Sequence, residues 1–547
     1  EGGTHMPCTT ILVGKAASYD GSTIIARNDD SGAGSYTPKK YAVVHPEEQP
    51  RIYKSVISHV EIELPDDPMR YTCVPNALSG EGIWAASGVN AANVAMTATE
   101  TITSNPRVLG ADPLVCYEPA DGDKPEKAGG IGEEDIVSIT LPYIKSAREG
   151  VIRLGSLLEQ YGTYEMNGIA FQDVDEIWWL ETIGGHHWIA RKVPDDVYVV
   201  MPNQFGMDEF DLADAFGAQN EFMCSADLPE FIEKHHLNVE NMECVMLRNI
   251  SQTGELQDKD ENDDCGQEVD DTNNETDSSD GTYTSIICPR DIFGSHDDAD
   301  HVYNTPRAWF MERTLNPNSA VWDGPDADFT PVSDDIPWCM IPEKKITMED
   351  VKYVLSSHYQ GTPYDPYGNY GDKSLRGAYR SIGVNRTDFM SAIQIRPYAD
   401  EDSSAIQWLA FASNAFNVMV PFYTNVDEVP EYLANTSAEV STDNFYWTSR
   451  MIAAMADASY AKSVFHIERY DEKVMSKAHE IIYRYDDLLG ADRDVQTDAV
   501  SKLGQKLRQQ ANRETADMVR QAASDTLGKV LYELSNQMKN SYSRSDA

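Results

Sequence analysis

Two β-rich runs near the start of the chain, Thr9-Thr10-Ile11-Leu12-Val13 and Thr23-Ile24-Ile25-Ala26-Arg27, are separated by the turn-forming sequence Tyr19-Asp20-Gly21-Ser22. Short branched runs divided by Asp-Gly are expected to pair as an antiparallel hairpin. The pairing has a chemical consequence. Cys8 heads the first strand and Arg27-Asn28-Asp29-Asp30 closes the second, so a thiol, a cation and carboxylates meet at one end of the pair.

Further β-rich runs follow at Tyr41–Val44, Val56–Leu64, Ile83–Ala86 and Val94–Thr99, then helical spacing from Glu133 to Gln160. A second strand cluster covers Gly168–Phe171, Ile177–Leu180, Trp188–Lys192 and Val197–Met201. Met348–Leu355 has helical spacing, and Ala392–Ile395, Gln407–Phe411 and Val418–Tyr423 read as strands returning to a sheet. From about Asn444 the chain is mainly helical. Over Asp498–Asn540 apolar residues recur every three or four positions, which predicts a terminal helical hairpin packed on the body. The fold class is α+β with many antiparallel strands.

Three regions follow from this reading: residues 1–7 as a remnant, 8–460 as the main body and 461–547 as a helical extension. The opening Glu1-Gly2-Gly3-Thr4-His5-Met6 resembles a cloning junction and is excluded from the fold. If Met6 is the native initiator, no export signal precedes Cys8 and a cytoplasmic home follows. A trimmed signal peptide, with secretion or surface display, would leave the same junction. Between Ser251 and Ser285 the composition turns acidic and nearly devoid of apolar residues, which cannot support a core and reads as a solvated insertion within the body. Its Asp258-Lys259-Asp260-Glu261-Asn262 alternation suggests a calcium loop. Asp263 stands where such a loop needs glycine, and Val269 where it needs a bidentate Glu.

The formal charge is 44 − 90 = −46. A surface this acidic repels phosphate backbones and anionic lipid, so neither nucleic acid nor membrane is expected as a partner. No apolar run reaches the roughly 18 to 20 residues needed to span a bilayer. Eight cysteines without a CxxC pair do not form a disulfide scaffold.

Five ordered segments carry a resemblance: CTTILVGKAASYDGSTIIARNDD (8–30), GVNAANVAMTATET (88–101), GGHHWIARKVPDD (184–196), YNTPRAWF (303–310) and HYQGTPYDPYG (358–368). Together with Gln394-Ile395-Arg396 and Val420-Pro421-Phe422-Tyr423, they resemble the bacterial dipeptidase A family of N-terminal nucleophile (Ntn) hydrolases, related to bile-salt and penicillin V amidases. The resemblance implies a four-layer αββα fold and a cysteine dipeptidase acting on small peptides without metal or organic cofactor, with a homo-oligomer as a possible assembly. It further implies that Cys8 becomes N-terminal and that its own α-amine is the general base. An α-amine has a pKa of about 8 and can accept the thiol proton, which an amide nitrogen cannot.

By the same resemblance, Cys8 is the nucleophile, Arg27 the neighbouring cation, and Asp30 the carboxylate that fixes amine and substrate. Asn203 helps hold the oxyanion, and Arg307 is a second active-site arginine. Asn28, Glu100 and Thr101 are implied to bind substrate. Glu100 or Thr101 occupies the place where the amidase relatives carry another oxyanion-hole Asn, so a backbone N–H would have to serve there. Two other readings stand beside this one: an amidase of N-acylated or bile-type amides, and a non-catalytic interaction protein. His186-His187 falls in a strand-like stretch whose alternation separates neighbouring side chains, so a structural role is expected rather than a metal site. His358 is the rival base of a Cys–His protease. While residues 1–7 remain, the Cys8 nitrogen is an amide, and that form is expected to be inactive or nearly so. Pro7 constrains the backbone at the cleavage point and is expected to slow processing.

Overall fold

The computed structural model describes residues 8–80, 82–240, 286–490 and 498–540. The acidic insertion, its candidate calcium loop and residues 1–7 lie outside the described residues. The predicted hairpin forms: Thr9–Val13 pairs antiparallel with Thr23–Asp30, and Thr10 stands opposite Arg27. It sits inside a seven-stranded antiparallel sheet ordered Cys339–Met340, Tyr198–Met201, Thr9–Val13, Thr23–Asp30, Thr387–Ile395, Ala405–Phe411, Val420–Tyr423. A second, eight-stranded antiparallel sheet runs Phe222–Cys224, His187–Lys192, Ile177–Ile183, Asn167–Gln172, Ala95–Thr101, Ser87–Asn90, Tyr71–Cys73, Ala42–Val44.

Strand alternation assigns the faces. Ile11, Val13, Ile24 and Ala26 point to the side covered by helices Thr305–Leu315 and Met348–Leu355, with Trp309, Val351 and Leu355 in the same cluster. Leu12 and Ile25 point the other way and share a core with Ala95, Ala170, Trp179 and Ile189 of the second sheet. The far face of that sheet, with Met96, Ile169 and Trp178, packs on helices Glu133–Thr140 and Ala147–Tyr161. Each buried Leu, Ile, Val or Phe contributes about 1.5–3 kcal/mol, so both sheets are held by burial on both faces. This is why their strands read as continuous apolar runs.

Three expectations are corrected. Ile83–Ala86 is not a strand, because Trp84 and Ala86 take left-handed φ values of 49° and 55°. Val56–Leu64 reduces to Glu61–Glu63, paired with Ile52–Lys54. The helix expected over Glu133–Gln160 breaks at Leu141–Tyr143, where Pro142 lacks the N–H that would continue it.

At the other end of the chain, helices Tyr460–Gly490 and Asp498–Ser535 run antiparallel, with Glu514 against Tyr485 and Glu533 against His466. They dock on the first sheet where the Asn512 amide brackets the Tyr423 backbone at 2.8 and 2.9 Å and Asp486 pairs with Arg396. Among the described residues, no helix is long and apolar enough to cross a membrane.

Candidate active site

Cys8 is fully buried at the head of the first strand, facing the second sheet on the same side as Leu12. Its Sγ receives a hydrogen bond of 2.7 Å from Arg27 Nη2. The same nitrogen reaches Asp29 Oδ1 at 2.9 Å and Glu133 Oε1 at 3.3 Å. Lys39 meets the other Asp29 oxygen at 3.0 Å. Sγ, Asp29 and Glu133 lie close enough together to cradle a cation, and the Arg27 guanidinium occupies that place. Arg27 is steadied in turn by the Ala86 carbonyl at 3.4 Å, on the left-handed stretch that displaced the expected strand.

Burial pushes the Cys8 thiol well above its ordinary range; Arg27 opposes this, while Glu100, Asp29 and Glu133 add to it. Asp29 is held below the usual carboxylate range, because Lys39 and Arg27 outweigh the effect of burial.

A second arginine closes the site from the helix side. Arg307, on helix Thr305–Leu315, donates to the Cys8 carbonyl, to Thr9 Oγ1 at 2.6 Å, and to Asn203 Oδ1 and Asn304 Oδ1 at 2.7 Å each. Asn203 passes the contact on, donating to the Thr101 carbonyl at 3.0 Å. Glu100 reaches across from the second sheet and accepts the Thr10 hydroxyl at 2.8 Å. Burial raises the Glu100 carboxyl to about 8, opposed by Arg307, Thr10, Arg27 and Arg380.

Cys8, Arg27, Arg307, Asn203, Thr101 and Glu100 thus form one connected cluster. Asp30 lies on the opposite face of its strand from Arg27, where it accepts Thr387 Oγ1 at 2.5 Å and pairs with Arg380. Asp29, not Asp30, is the carboxylate beside the thiol. Period-two alternation from Arg27 carries the signal for this. Asn28 also points away from Cys8. Its amide donates to the Leu355 carbonyl at 2.7 Å and accepts from Asn414 at 2.8 Å, so it belongs to the packing of the strand on its helix layer rather than to the space beside the thiol. Glu133, Lys39 and Arg380 had no local sequence signal, because each lies outside the hairpin and is brought to it by the tertiary fold.

His358 does not touch Cys8; its ring nitrogens meet Asp365 at 2.9 Å and Tyr460 at 3.4 Å. His186 lies in a turn and only His187 begins the strand, so alternation does not separate them. Both Nδ1 atoms grip Asp112, at 2.8 and 2.7 Å, a structural clasp.

Residues 7–473 match peptidase family C69. A dipeptidase of Bifidobacterium longum (strain NCC 2705) is 52% identical over 99% of this chain and 100% of its own length. A probable dipeptidase A of Streptococcus pyogenes serotype M3 is 48% identical over 99% and 100%. Dipeptidase A of Lactobacillus helveticus is 39% identical over 96% of each. These matches define a peptidase, within the hydrolases. The chain belongs to peptidase family C69.

Proposed function

We propose that this protein is a cysteine dipeptidase of the N-terminal nucleophile type, built on a four-layer αββα sandwich and activated when residues 1–7 are removed. The observation that carries the reading is the 2.7 Å contact between Cys8 Sγ and Arg27, at the strand end where removal of those residues would leave a free amine. The helix, sheet, sheet, helix order of the three apolar clusters supports the architecture. The family match and the names of the relatives support a dipeptide substrate.

In the proposed mechanism the freed α-amine of Cys8 takes the thiol proton, and Arg27 stabilises the thiolate at the moment it forms. Sulfur attacks the scissile carbonyl carbon. The oxyanion is held by a backbone N–H and by the Asn203 amide, which keeps one hydrogen beyond the one given to Thr101. Collapse breaks the C–N bond, the ammonium of Cys8 returns its proton to the leaving amine, and a thioester remains on Cys8. Water, deprotonated by the same amine, releases the acid and restores the thiol. Asp30, anchored by Arg380 and Thr387 at the strand end, fixes the amine. Arg307 sets the position of the Cys8 backbone through its carbonyl.

The test is hydrolysis of a mixed dipeptide panel by a chain beginning at Cys8, by its Cys8→Ala counterpart and by the chain that keeps residues 1–7. Cleavage by the first alone is expected. If all three are inert toward dipeptides but the first cleaves N-acylated amides, the amidase reading replaces this one.

A further inference from the structure

The strand Ala95–Thr101 carries an irregularity that decides where Glu100 points. Ala98 stands opposite Ile169 and Glu100 opposite Gly168, so one extra residue is inserted between them. Simple alternation would send Met96, Ala98 and Glu100 to one face, and Met96 and Ala98 do pack among the helices. The bulge reverses the face after Ala98 and turns Glu100 inward, where it accepts Thr10 Oγ1 at 2.8 Å. Thr10 lies two residues from Cys8 on the same side of its strand. The chain therefore breaks a ladder to bury a carboxylate next to the nucleophile.

Only one Glu100 oxygen is used. Oε2 holds Thr10, whereas Oε1 is buried with no hydrogen-bond donor among the described residues. A buried carboxylate oxygen without a donor is costly, and a group bound in the working state is one way to offset that cost. Two carboxylates of the adjoining strand are held by cations: Asp29 pairs with Arg27 and Lys39, and Asp30 pairs with Arg380 and accepts Thr387 Oγ1.

We propose that Glu100 Oε1 receives the protonated α-amino group of the substrate and so makes the enzyme select peptides with a free N-terminus. The proposal rests on the dipeptidase reading of Cys8. In a dipeptide the ammonium nitrogen is one carbon from the scissile carbonyl, about 2.5 Å away through space. A group that catches the ammonium must therefore lie in the immediate surroundings of the attacking sulfur, where Glu100 is. Its carboxyl, raised to about 8 in the empty site chiefly by burial, would ionise when the ammonium arrives and supply the charge that burial withholds. An N-acylated substrate brings no cation and would leave this carboxyl without a partner.

The experiment compares alanyl-leucine with N-acetyl-alanyl-leucine, using the chain beginning at Cys8 and its Glu100→Gln and Glu100→Asp variants. The parent is expected to prefer the free dipeptide strongly. Glu100→Gln should lower kcat/KM for the free dipeptide about 10- to 100-fold, the loss of one charged hydrogen bond, with little change for the acetylated one, so the preference collapses. Glu100→Asp should retain part of the preference. A cooperative thermal transition at the parent's Tm checks that each variant is folded. A preference unchanged in Glu100→Gln, or equal losses on both substrates, overturns the assignment. A parent that cleaves neither substrate sinks the dipeptidase reading itself, and this assignment with it.

Discussion

Two buried polar centres in this molecule are each built around a carboxylate held by basic side chains, yet one is closed and the other is open. At the clasp, Asp112 takes the backbone N–H of His186 at 2.7 Å, that of His187 at 3.3 Å and both Nδ1 atoms, so each oxygen is engaged. At the nucleophile, burial raises the Cys8 thiol pKa and Glu100 keeps an oxygen without a donor among the described residues. A saturated cluster has one arrangement and stabilises the fold, while a cluster with unmet hydrogen bonds is poised for a group not yet bound. On this account the first centre governs stability and the second activity.

Substitutions at the two centres should separate accordingly. The largest effect is expected for Cys8→Ala in the chain beginning at Cys8: a loss of about a thousandfold or more in dipeptide hydrolysis, with Tm nearly unchanged. Steady-state kinetics and a thermal scan on the same sample check both halves. Arg27→Met should damage both properties. It leaves Asp29 and Glu133 facing each other without their shared cation, a cost of about 3–5 kcal/mol in stability. It should also displace the pH dependence of Cys8 alkylation upward, because Arg27 is the group that lowers this thiol's pKa.

Asp112→Asn should be the mirror image, with kcat/KM within about twofold of the parent and Tm lower by a few degrees. Its pH dependence has a defined sign. Hydrogen bonds to His186 and His187 hold Asp112 far below its ordinary range despite burial, so its contribution is present above the unfolded carboxylate value of about 3.9 and is lost as pH falls through the depressed folded value. His186 is raised, chiefly by its hydrogen bond to Asp112, so its contribution is full below about 6.5 and fades as pH rises through the raised folded value. The Tm difference between parent and Asp112→Asn should therefore peak near pH 5 to 6 and shrink on either side. A flat difference from pH 4 to 9 would remove the ionic part of this explanation.

Much of the nucleophile centre was legible in the sequence because it is local. Cys8, Arg27 and Asp29 are brought together by one hairpin whose turn and strands are written within 23 residues. Which of Asp29 and Asp30 lies beside the thiol needed only the alternation of a strand. Glu133 arrives from the helix layer on the second sheet and Lys39 from the segment after the hairpin's second strand, and no spacing marks them. Glu100 illustrates a different limit: its neighbourhood was legible, but its direction depends on a bulge that hydrophobic pattern does not encode. The left-handed Trp84 and Ala86 misled the strand reading for a related reason, since β-branched and aromatic content says nothing about the sign of φ.

The most direct test of the central claim is a rapid-quench experiment on the chain beginning at Cys8, mixed with a dipeptide and analysed by peptide mass spectrometry. The account predicts a transient mass increase equal to the substrate's N-terminal acyl group on the peptide containing Cys8, removed by hydroxylamine and absent when residues 1–7 are retained. Turnover with no adduct on Cys8, or with the adduct on another residue, would contradict it.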